Sequence, residues 1–223
     1  MTKSQYFSKS IINRLKTFAI IALVCSCFLQ QALAQKNEMV ELKNMIPTIQ
    51  YDLKYATKNN FTGKRIYPSS TNKTFLVKDA AEALQKVAAE LKSMDMGIWV
   101  WDAYRPYRAT VKFWKLIHDE RYVANPAKGS GHNRGIAIDM SIYRLSDGKL
   151  IEMPTGFDNF SDTAHHDFMQ LPENKIKNRA LLKTMMERHG FRSFETEWWH
   201  YSWPNNKNYE VLNLSFEKLA KKQ

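Results

Sequence analysis

Hydrophobic and polar positions alternate most regularly between residues 136 and 143. Ile136, Ile138, Met140 and Ile142 interleave with Ala137, Asp139, Ser141 and Tyr143. A period of two with β-branched enrichment predicts a half-buried strand, its apolar set turned to the core. Asp139 then leaves the strand on the other face, between small neighbours. Upstream, residues 79–97 follow helical spacing: Leu84, Val87, Ala88 and Leu91 form one stripe, and Gly97 reads as the stop. The apolar run IWVWDAY predicts a strand closed by Arg105-Pro106, and the segment from Tyr107 to Glu120 a second helix. Asp147-Gly148 signals a hairpin turn. Residues 154–175, with Pro, Gly, Asn and Asp, read as loop. Residues 178–190 read as a third helix stopped by Gly190, and FRSFETEWWHYSW as a closing strand. No repeat, heptad array or low-complexity linker interrupts this order. The mixture predicts one α+β domain, with helices packed on a mainly antiparallel sheet.

The first 34 residues carry a different pattern. Lys3, Lys9, Arg14 and Lys16 precede an apolar segment from Phe18 to Leu29, and Ala32-Leu33-Ala34 follows. A basic start, a short apolar run and a small-x-small site predict a secretory signal peptide over 1–34 and a mature domain over 35–223. The apolar run is too short to span a bilayer comfortably, so no stable membrane insertion is expected after cleavage. Lipoprotein anchoring at Cys27 is the alternative processing, and the apolar Phe28-Leu29 after it argues against that route. Export would place the protein in the periplasm or cell envelope. Cleavage would remove four of the 33 basic residues and both cysteines, leaving +7 of the formal +11 charge. Disulfides and thiol chemistry are thereby excluded from the mature chain. The remaining basic excess is dispersed, without a basic block or nucleic-acid motif, so no nucleic-acid partner is expected.

Two stretches carry candidate chemistry. His132 sits in a turn framed by Gly129, Gly131 and Gly135, seven residues before Asp139. ETEWWHYSW places Glu197 three residues before His200. Two histidines and an aspartate are competent zinc ligands, and three protein ligands plus water is the layout of a catalytic zinc site. Glu197 is then the carboxylate that deprotonates the water. The bland alternative is an aromatic core strand with one satisfied histidine. On a flat strand, moreover, Glu197 and His200 face opposite sides, so a shared site needs a twist, a bulge or a strand end there. Arg105, fixed before Pro106, either stabilises an oxyanion or forms a structural ion pair with Asp102 or another acid. His165 and His166 lie in a polar loop, His189 at a helix C-terminus and His118 beside acidic residues, all weaker candidates.

WDAYRP, SGHNRGIAID and EWWHY resemble, in order and spacing, the motifs of the VanX-type D-alanyl-D-alanine dipeptidases. These belong with the zinc D-Ala-D-Ala carboxypeptidases and the hedgehog-like metallopeptidases. The resemblance extends from YDLKYATKNNFTG at 51–63 to EWWHY at 197–201. It implies one Zn2+ on His132, Asp139 and His200, Glu197 as general base and acid, and Arg105 assisting the tetrahedral intermediate. It further implies substrate contacts from Ser130, Asp158 and Tyr55, the last two near the free amino end of the small-molecule substrate D-Ala-D-Ala. Gly131 departs from relatives that carry a bulkier residue between the serine and the histidine. The expected activity is hydrolysis of D-Ala-D-Ala to two D-alanines, in cell-wall turnover or D-alanine salvage. The alternatives are a peptidoglycan D,D-carboxypeptidase or endopeptidase acting on longer stem peptides, and a zinc-bearing binding domain without catalysis.

Overall fold

The computed structural model describes residues 38–120 and 122–223. The leader expected over 1–34, Cys27 included, lies outside the described residues. The described chain runs β1 (Met39–Glu41), α1 (Leu42–Met45), β2 (Gln50–Tyr51) and β3 (Phe75–Val77). It continues through α2 (Lys78–Lys92), β4 (Met96–Asp102), α3 (Tyr107–Ile117) and β5 (Ala137–Arg144). It closes with α4 (Glu173–Arg188), the hairpin β6 (Arg192–Phe194) and β7 (Glu197–Ser202), and α5 (Phe216–Ala220). β1 and β3 pair by themselves, while the larger sheet has the order β2-β4-β5-β7-β6. In it only β2 on β4 is parallel, and the other three pairings are antiparallel. The α+β architecture with a mainly antiparallel sheet is the one the pattern predicts. No helix among the described residues is long and apolar enough to cross a membrane.

The helical stripe of α2 is as expected: Leu84, Val87, Ala88 and Leu91 are all buried. The helix packs against β4 and α4. Its end differs from the expectation. The chain reverses through Asp95, whose φ of 58° is left-handed, and Gly97 lies inside β4. Glycine is required there for a steric reason. A Cβ on Gly97 would lie 2.4 Å from the ring of Tyr143, its register partner on β5. That ring cannot swing aside freely, because Tyr143 Oη donates to the Thr48 carbonyl at 2.5 Å. Gly97→Ala is therefore expected to cost about 1–3 kcal/mol through overpacking. A lowered denaturation midpoint with an unchanged m-value checks it.

Further boundaries move, among them that of α3, which stops at Ile117, three residues short of Glu120. α4 starts at Glu173, directly after Pro172, five residues before the expected 178. The added turn, residues 173–177, buries no residue, so no apolar stripe marks it; further along, Arg179 is buried with Leu182, Met185 and Met186, its Nη1 donating to the His165 carbonyl at 2.7 Å. The closing segment is a hairpin turning at Glu195-Thr196, not one continuous strand. β5 is also more buried than a half-exposed strand, since Ala137, Asp139, Ser141 and Tyr143 are covered as well as the apolar set. It lies between β4 and β7, and its polar face is roofed by the residues of the site.

Candidate metal centre and active-site cavity

Two irregularities in the sheet build the site. Val100 pairs with Met140, but the next pair is Asp102 with Asp139, so Trp101 is an extra residue in β4. This bulge brings Asp102 beside Asp139, which in turn pairs with His200 on β7. Three polar side chains thus stand in a row across β4, β5 and β7. On the far side, Ser193 pairs with Tyr201 and Phe194 with Glu197, leaving residues 198–200 as the excess in β7. That offset is the local break in pleating that Glu197 and His200 need to share a face. Both line one cavity of about 320 Å³.

All eight residues singled out in the sequence line this cavity: Tyr55, Arg105, Ser130, His132, Asp139, Asp158, Glu197 and His200. Ligand atoms of His132, Asp139 and His200 lie within 4.8 Å of one another, a group that can hold a metal ion. His132 Nε2 is 3.3 Å from His200 Nδ1 and 3.4 Å from Asp139 Oδ2. The third separation, His200 Nδ1 to Asp139 Oδ1, is 2.8 Å. A tetrahedral zinc ion with bonds of 2.0–2.1 Å spaces its ligands by about 3.3 Å, which the two His132 separations match, while the 2.8 Å contact is a hydrogen bond to the other carboxylate oxygen. His132 Nδ1 lies 2.7 Å from the Ala103 carbonyl. A proton on Nδ1 satisfies that carbonyl and leaves the Nε2 lone pair for the metal. Burial opposes ionisation of Asp139, yet His132 and His200 outweigh it and hold the carboxyl well below its usual range.

The cavity's other groups have distinct electrostatics. Burial, with Asp139 nearby, pushes the Glu197 carboxyl up to about 7. A carboxylate in that range suits proton exchange near neutrality. Arg105 forms the structural ion pair that its sequence allowed. Its Nε and Nη2 bind Asp102 Oδ2 at 2.9 and 2.8 Å, and its side chain also lines the cavity. Asp158 has a left-handed φ of 58°, which aspartate tolerates better than most residues. Tyr55 Oη donates to its two carboxylate oxygens at 3.0 and 3.2 Å. Burial and then Asp139 raise the Asp158 carboxyl well above its usual value. The aromatic wall comes from Trp199 together with Phe61, Phe113 and Phe160. Trp198 does not line the cavity; it is fully buried with Nε1 donating to Thr155.

Some supporting residues carried no signal as such. Asp102 entered only as a partner for Arg105, yet it also accepts from Tyr67 Oη at 2.7 Å. Tyr67 lies in an irregular stretch that no period or motif marks. Gly131 is accommodated under tight packing, since a Cβ there would meet Ala137 Cβ at 2.9 Å. None of the four other histidines lines the cavity. His189 pairs with Glu90, and His166 is stacked edge-on near Tyr201.

A nitrogen–oxygen metal group, a near-neutral carboxyl and a clamped guanidinium in one cavity define a site of the metal-dependent hydrolase class. The chain belongs to the D-Ala-D-Ala dipeptidase family of M15 peptidases, whose family model matches residues 35–221. It is 34% identical over 184 residues to the D-alanyl-D-alanine dipeptidase of Escherichia coli (strain K12), covering 82% of this chain and 94% of that protein. It is also 34% identical over 178 residues to the enzyme of the same name from Enterococcus faecium, covering 72% of this chain and 88% of that one. Among solved structures, the vancomycin resistance D,D-dipeptidase VanXYg overlaps 82% of this chain and 74% of its own at 16% identity and a TM-score of 0.36.

Proposed function

We propose that this protein hydrolyses D-Ala-D-Ala to two D-alanines using one zinc ion held by His132, Asp139 and His200. The observation that carries the reading is the grouping of these three side chains, ligand atoms within 4.8 Å of one another, beside Glu197 in one cavity. Family membership and the named activity of the relatives support the substrate. Zinc, when bound, supplies a water of lowered pKa and polarises the scissile carbonyl. Glu197 takes the water proton and returns it to the leaving amine. Arg105, held by Asp102, donates to the developing oxyanion. Asp158, with Tyr55 behind it, receives the substrate ammonium, whose charge draws the carboxyl back to its ionised form. Ser130 contacts the bound dipeptide from the turn preceding His132. The leader composition supports export to the periplasm or cell envelope. There the enzyme would serve cell-wall turnover or, more naturally for an exported dipeptidase, recovery of D-alanine from released dipeptide.

Metal analysis tests the ligand assignment. Wild-type protein is expected to hold about one zinc per chain, and His132→Ala or His200→Ala to lose most of it. Full occupancy in either variant would remove that residue from the ligand set.

A further inference from the structure

Asn133 is completely buried, directly after His132, and no step of the proposed reaction uses it. A buried amide is costly unless its donors and acceptor are matched. Here they are matched by the reaction's own supports. Its Nδ2 donates to the Arg105 carbonyl at 2.9 Å and to Thr110 Oγ1 at 2.8 Å. Its Oδ1 accepts from the Ser130 backbone N–H at 3.0 Å. Its own backbone N–H donates to Ser130 Oγ at 3.2 Å, and its carbonyl accepts from Leu212 N at 2.8 Å. One side chain therefore ties the turn carrying Ser130 and His132 to the strand end carrying Arg105. His132 has separate anchors: its ring meets the Ala103 carbonyl, and its own carbonyl accepts from Arg105 N at 3.1 Å.

We infer that Asn133 is a positioning residue, setting Ser130 and the Arg105 backbone in register with the metal group while leaving metal retention to other contacts. The inference rests on the proposed dipeptidase reading. Its physical basis is that a shift of about 1 Å in a positioned group can cost roughly a hundredfold in rate. Thr110 supplies the control. It is equally buried and bonded to the same amide, but touches neither Ser130 nor Arg105 through a hydrogen bond.

The experiment compares Asn133→Ala with Thr110→Val for zinc content, thermal midpoint, D-Ala-D-Ala kinetics and inhibition by a phosphinate analogue of the dipeptide. Asn133→Ala is expected to keep its zinc and to lose roughly tenfold to a hundredfold in kcat/KM. The tetrahedral phosphinate should lose affinity by a similar factor, with D-alanine binding changed far less. Thr110→Val should lower the midpoint while keeping kcat/KM within about threefold, because it removes only bonds to the Asn133 amide and none to Ser130 or Arg105. If Asn133→Ala fails to fold, Asn133→Ser is expected to show the same pattern, because its hydroxyl is too short to span both partners. An alanine or serine variant that holds zinc and keeps kcat/KM within about threefold overturns the inference. So does a Thr110→Val protein whose activity falls as far as that of the Asn133 variant. Failure of wild-type protein to release D-alanine would instead overturn the dipeptidase reading, and the positioning role with it.

Discussion

Glu197→Gln protein is expected to bind zinc like the wild type and to release D-alanine at least about a thousandfold more slowly. The glutamine amide has nearly the same shape as the carboxylate but cannot take a proton. Glu197 lies outside the group of His132, Asp139 and His200 that could hold a metal ion, so its neutralisation leaves that group intact. Burial already favours its uncharged form, so the amide imposes little electrostatic change on folding. Stability and metal content should therefore stay near wild type while turnover falls. Near wild-type turnover with zinc retained would assign the proton transfer to another group.

The second large effect concerns the substrate's amino end. N-acetyl-D-Ala-D-Ala is expected to be hydrolysed at least about a thousandfold less efficiently than free D-Ala-D-Ala, roughly 4 kcal/mol at the transition state. Asp158 lies against Tyr55 Oη in a cavity also walled by Phe61, Phe113 and Phe160. An ammonium placed there pairs with a poorly solvated carboxylate, and breaking such a pair by removing one partner costs several kcal/mol. Acetylation removes the positive charge and adds bulk against the aromatic wall. Asp158→Asn should narrow the gap, chiefly by harming the free dipeptide. Steady-state kinetics with both substrates on both proteins decide it. Comparable efficiency on the acetylated substrate would favour a carboxypeptidase of longer stem peptides.

The elements with a simple period were legible in the sequence. The alternation at 136–143 and the stripe of α2 depend on local spacing, and both elements are present. The first turn of α4 is not legible because none of residues 173–177 is buried, so no apolar position marks it. Gly97 misled because a glycine after a helical stripe signals a stop, whereas its role is to clear a ring on another strand. The eight residues that line the cavity could be named from motifs and the family resemblance, but their meeting depends on register. The bulge at Trp101 and the three-residue offset in β7 place Asp102, Glu197 and His200, and no local period encodes either. Asn133 was invisible for the same reason. Its partners come from residues 105, 110, 130 and 212, and only the folded chain brings them together.

The candidate metal group and the chemistry share one site, and one titration tests both. Protein stripped of metal by a chelator, then given zinc in steps, is assayed for D-alanine released from D-Ala-D-Ala. The expected result is negligible release without zinc, rising to a plateau at about one zinc per chain, with two D-alanines formed per dipeptide consumed. Full release from the stripped protein, or none at one zinc per chain, would contradict the account.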